Sequence, residues 1–97
     1  MLFVVLFNDR PEAFAIRERE MAAHLAYLKQ HEQSVKVAGS LRESPEYKPM
    51  GACWIVEAAD KSAVKALIEA DPFHEMGLRA SYRILHWSKA FDEPATV

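Results

Sequence analysis

The chain has 97 residues, 51% of them hydrophobic, with 12 basic against 14 acidic side chains and a net charge of −2. That length suits one folded unit over residues 1–97, with a modest core that gains from a partner subunit. No basic run stands out, which argues against phosphate neutralisation on a nucleic acid and against attraction to an anionic membrane.

The opening run LFVVLF (residues 2–7) is continuous, β-branched and aromatic, and predicts a strand buried on both faces. It is too short to span a bilayer and lacks the basic leader and cleavage site of a signal peptide. NDRPE breaks it, with Asp9 available as a cap and Pro11 placed early in the next helix. That helix is expected from Pro11 to about Gln33, with Phe14, Met21, Leu25 and Leu28 as its apolar stripe. SVKVAGSL (34–41) alternates, which puts Val35, Val37, Gly39 and Leu41 on one face of a second strand. RESPEYKPM is a polar loop with two prolines, and GACWIVEA (51–58) is a third strand. Asp60 caps a second helix, Lys61 to about Ala70, with Val64, Leu67 and Ile68 facing inward. DPFHEMG (71–77) is a turn or a single helical turn, and residues 80–90 form a last strand. The tail FDEPATV is expected to fray or to pack on a partner.

The order strand, helix, strand, strand, helix, strand is the split βαβ, ferredoxin-like α+β arrangement with a four-stranded antiparallel sheet. Two helices cover only one face of such a sheet. Yet strand one carries Leu2, Val4 and Leu6 on one side and Phe3, Val5 and Phe7 on the other. The uncovered face would be an apolar patch of roughly several hundred Å². A second copy stacked sheet to sheet removes it, so a homodimer with a barrel-like core is expected.

Cys53 is the only cysteine, which rules out an internal disulfide and a cysteine-based metal site and fits a reducing cytoplasm. His24 lies about 40° from Leu28 and 60° from Met21 around the helix, at the border of the stripe. It is either a half-covered bystander or a group that reaches the sheet edge. Arg17 lies about 20° from His24 and either holds a substrate carboxylate or extends to solvent. Asp71 before Pro72 is a strong helix cap, and a carboxylate there is also placed to approach the first helix and fix an imidazole tautomer. Gly39 marks a bulge or a close ligand approach. Phe73 anchors the turn or stacks a ligand. His31, near the first helix's end, favours the negative end of its dipole, while His74 and His86 form no zinc-type spacing with His24. There is no phosphate loop and no nucleophile elbow.

Several stretches together resemble the YCII-related domain family of the dimeric α+β barrel superfamily. They are a first strand closing on Asp9, HLAYL (24–28), AGSL (38–41), GACWIVEA, DPFHEMGL (71–78) and a last strand ending HW. The resemblance covers nearly the whole chain. It implies a dimer of ferredoxin-like subunits, a small-molecule pocket at each sheet and a His–Asp pair at His24 and Asp71, so that Asp71 both caps its turn and orients His24. The family often has Gly-Pro where this chain has Gly39-Ser40, which alters the pocket wall and adds a hydroxyl. Arg17, Gly39, Ser40 and Phe73 are the expected substrate contacts, with no metal and no cofactor. The implied activity is acid–base proton transfer, isomerase- or dehydrochlorinase-like, on a small cyclic or aromatic polar substrate. The alternative is a non-catalytic dimeric ligand-binding module. Haem binding, known among barrel relatives, has only the spare histidines behind it.

Overall fold

The computed structural model describes residues 1–94, so the expectation for the tail falls partly outside the described residues. The elements are β1 (Leu2–Asp9), a 3-10 turn (Pro11–Ala13), α1 (Phe14–Gln30), β2 (Val35–Leu41), β3 (Gly51–Glu57), α2 (Lys61–Glu69), α3 (Pro72–Glu75) and β4 (Arg79–His86). The four strands form one antiparallel sheet in the order β2-β3-β1-β4. The architecture is the expected α+β, ferredoxin-like one. The first helix ends at Gln30 rather than Gln33, and the last strand ends at His86 rather than residue 90.

The inner face of the sheet carries Phe3, Val5 and Phe7 from β1 and Ala52, Trp54 and Val56 from β3, all nearly inaccessible. Val64 and Ile68 of α2 close over them, and Leu67 packs at the edge. Asp60 caps α2 as expected: its carboxylate accepts from the Ala63 amide at 2.9 Å and from the Ser62 hydroxyl at 2.7 Å. These two bonds hold the Asp60 carboxyl below its ordinary range.

Two register shifts correct the simple alternation. In β2 the pairing passes from Val35↔Val56 to Val37↔Ile55, so Lys36 is an extra residue. Val35 therefore points into the core, while Val37 is 37% exposed on the opposite face with Gly39 and Leu41. In β4, Ser81 pairs with Asn8 but Arg79 pairs with Asp9, so Ala80 is passed over. Regular alternation would send Arg79 to the outer face. The bulge turns it beside Asp9.

The expected stripe on α1 is also rotated. Leu25 is 55% exposed, and the buried residues of this helix are Arg17 and His24. Met21, Tyr27 and Leu28 flank them. The helix tolerates two polar residues at the centre of its inner face because each has a buried carboxylate partner. Leu2, Val4 and Leu6 of β1, with Ile55 and Leu85 beside them, make the outer face, which both helices leave uncovered. Trp87 and Phe91 border a cavity of about 900 Å³ on that side. Among the described residues, no helix is long and apolar enough to cross a membrane.

Candidate functional site

Asp71 is the residue on which the site turns. The chain enters α3 through Asp71-Pro72, and the Asp71 carboxylate caps the helix by accepting from the Phe73 amide at 3.2 Å. The same oxygen, Oδ1, lies 2.8 Å from His24 Nδ1 on α1. Gly77, at φ +87°, ends the turn, and the Leu78 amide donates back to the Phe73 carbonyl, a C-terminal cap of the Schellman kind. That closure fixes Phe73, which stacks on the His24 ring with centroids 3.8 Å apart and planes 12° from parallel. Ring position and tautomer are thus both set: Nδ1–H donates to the Asp71 carboxylate and Phe73 braces the flat face.

His24 is 7% exposed and Asp71 1%. Among the described residues, the sealed side-chain nitrogens and oxygens without a partner are His74 Nδ1 and Arg79 Nε. His24 Nε2 is not one of them. It has no protein partner there and is not fully closed off from solvent. A neutral imidazole with its proton on Nδ1 presents a lone pair at that nitrogen.

Beside this pair lies a second buried cluster. Asp9 ends β1, and its two oxygens accept from Arg17 Nη2 and, at 2.8 Å, from Arg79 Nη1. The side chains of Arg17 and Arg79 are only 7% and 2% exposed. Both guanidiniums approach the Phe73 ring, at 5.3 and 5.2 Å from its centroid, and Arg79 also lies 4.3 Å from that of Phe7. Burial lowers the Arg79 pKa, and the bond and charge of Asp9 oppose the shift. Two carboxylates face two guanidiniums, so a neutral His24 leaves the group balanced and a protonated one adds a positive charge. Tyr27 adjoins it and donates its hydroxyl to the Leu67 carbonyl at 2.6 Å. Burial, and then the charges of Asp71 and Glu75, raise its pKa and keep it a neutral donor.

The structure therefore brings His24, Asp71, Phe73 and Arg17 together. It does not bring Gly39 or Ser40 to them within this chain. Both lie on β2, separated from β1 by β3; Gly39 has open space around it, and Ser40 accepts from Arg42 at 3.1 Å. Arg17 is held by Asp9 instead of extending to solvent. Asp9, read from sequence as a helix cap, is a buried counter-ion, and Arg79 escaped notice because only the bulge turns it inward. Burial pushes the Cys53 thiol up, in keeping with an inert cysteine. Among the described residues, no group of three or more His, Cys, Asp or Glu side chains is placed to hold a metal ion.

The YCII-related domain model matches residues 1–88. The chain belongs to the YCII-related domain family. No curated protein matches this YCII-related chain. Among solved structures it is similar to the 5-chloro-2-hydroxyhydroquinone dehydrochlorinase TftG from Burkholderia phenoliruptrix AC1100, solved in complex with 2,5-dihydroxybenzoquinone. The two are 32% identical, with a TM-score of 0.81, over 91% of this chain and 94% of that one. A protein from Bacteriodes thetaiotaomicron VPI-5482, grouped with antibiotic biosynthesis monooxygenases, matches at a TM-score of 0.61 and 15% identity. That match covers 100% of this chain and 95% of the other, and shows a shared fold only.

Proposed function

We propose that this YCII-related protein is an acid–base enzyme of the isomerase or dehydrochlorinase kind, acting on a small cyclic or aromatic polar compound. The observation that carries this reading is the His24 ring, fixed on one face by Phe73 and at Nδ1 by Asp71, with Nε2 unpartnered among the described residues. Nε2 takes a proton from a ring carbon or hydroxyl. The electron pair released moves into the ring, and either returns to a proton at another atom or expels a leaving group with its bonding pair. With chloride as leaving group the sum is loss of HCl, and no oxidant is needed. The similarity to a dehydrochlorinase solved with a dihydroxyquinone supports this class of substrate.

The test is chloride release from chlorinated hydroxyhydroquinones, compared between the wild type and Asp71→Asn. Asparagine caps helices about as well as aspartate. With its oxygen kept on the Phe73 amide, it still accepts from Nδ1–H but carries no negative charge, so the imidazolium formed when Nε2 takes a proton loses its stabilising partner. Turnover should fall about 100-fold or more, while the unfolding midpoint moves far less than in Asp71→Ala. Turnover intact in Asp71→Asn, with stability lost only in Asp71→Ala, would leave Asp71 as a cap alone.

The near-complete burial of His24 favours a second reading, a ligand-binding module in which the pair only shapes the pocket. Absence of turnover across the substrate series, with ligand binding retained, selects it.

The reading also includes a homodimer formed through the outer sheet face. That face carries Leu2, Val4, Leu6, Ile55 and Leu85, and a second copy is the economical cover for it. Light scattering should give the mass of two chains, and Leu6→Arg, in the middle of the face, should give one. A monomeric wild type at micromolar concentration would refute it.

A further inference from the structure

The Asp9–Arg17 pair forms one wall of a cavity of about 260 Å³, next to the site but not lined by His24. Its charge is lopsided. Arg10, Arg17 and Lys48 line it against a single carboxylate, Asp9, both of whose oxygens are already taken by Arg17 and Arg79. Among the described residues, neither Arg10 nor Lys48 pairs with an acid. Arg17 commits Nη2 to Asp9, and its remaining N–H groups have no protein partner there. Lys48 is exposed, with Nζ 4.5 Å from the centre of the Phe14 ring, a contact that favours holding its charge at the cavity mouth. Pro11, Phe14 and Met50 supply an apolar wall. A cavity that joins surplus, placed cations to a flat apolar surface is complementary to a small planar ring bearing a delocalised negative charge.

We propose that this cavity binds the carboxylate or ring-oxygen anion of a small cyclic compound, with Arg10, Arg17 and Lys48 as the anion's donors. As a statement about substrate class this rests on the acid–base reading of His24. As a binding site it does not, because binding is read without turnover. The ring would lie against Phe14, on the Arg17 side of Phe73, while His24 stacks against that same phenyl ring.

Benzoate is the probe and benzamide its neutral match in size and shape. Titration calorimetry on the full chain should show benzoate binding and benzamide binding at least about tenfold weaker, since charge-assisted hydrogen bonds are worth that factor or more. The double variant Arg10→Ala/Lys48→Ala alters two exposed side chains and should leave the fold intact, as far-ultraviolet circular dichroism checks. It should weaken benzoate by a similar factor. His24→Asn should bind benzoate like the wild type, so that a loss of turnover in that variant does not count against the cavity. Equal affinity for benzoate and benzamide, no benzoate binding, or full affinity in the double variant would each overturn the assignment.

Discussion

Asp9→Ala is expected to cost about 3–5 kcal/mol of folding stability, the range for leaving a buried charge without its partner. The reason is one of number. A single carboxylate, itself 5% exposed, serves two guanidiniums that are 7% and 2% exposed. Both guanidiniums pack against Phe73, and Arg17 meets the outside along the wall of the cavity of about 260 Å³. Domains of this size are stable by about 5–15 kcal/mol, so the variant would lose a large fraction of that margin. Urea denaturation of wild type and variant measures it. A loss below about 1 kcal/mol, the value of an exposed pair, would mean that the guanidiniums find water once Asp9 is gone. Replacing the whole trio by apolar residues, as in Asp9→Ala/Arg17→Met/Arg79→Leu, should recover part of the loss, because the penalty lies in the orphaned charges.

His24→Asn should reduce turnover by about 10²–10⁴-fold, the usual contribution of a positioned acid or base. The substitution keeps a polar side chain able to donate to Asp71, so the capping turn is retained although Phe73 loses its stacked ring. Binding of substrate should be little affected, and the loss should fall on kcat rather than KM. Wild type and variant assayed for chloride release from the same chlorinated hydroxyhydroquinone give the comparison. Full kcat in the variant would remove His24 from the chemistry and leave the ligand-binding reading.

The order of elements was readable because each signal is local. LFVVLF and GACWIVEA are continuous apolar runs, and Asp60 and Asp71 stand where helix caps belong. The details that build the site were not local. Counting alternate residues gives the wrong face for Val35 and for Arg79, because an extra residue in β2 and another in β4 reset the alternation. Nothing at Lys36 or Ala80 announces this, since neither is a glycine or a proline. The apolar stripe of α1 is rotated from the expected one because His24, read at its border, and Arg17, read as a substrate contact or solvent-facing, are its buried centre, and their partners Asp71 and Asp9 lie 47 and 8 positions away. The pairing of His24 with Asp71 came from resemblance to a family, not from spacing. Gly39 and Ser40 were expected at the pocket on the same ground, and in this chain they lie on the far edge strand.

One oxygen of Asp71 accepts from both the His24 ring and the Phe73 amide. The two donors compete for the same electron density. When the ring gains a proton, the oxygen leans toward it and the amide bond slackens; when the ring loses one, the amide recovers its share. The backbone of α3 therefore carries a record of the charge on a side chain from another helix. In a nuclear magnetic resonance spectrum, the Phe73 amide would be a native reporter of the imidazole, visible without any label on the histidine itself.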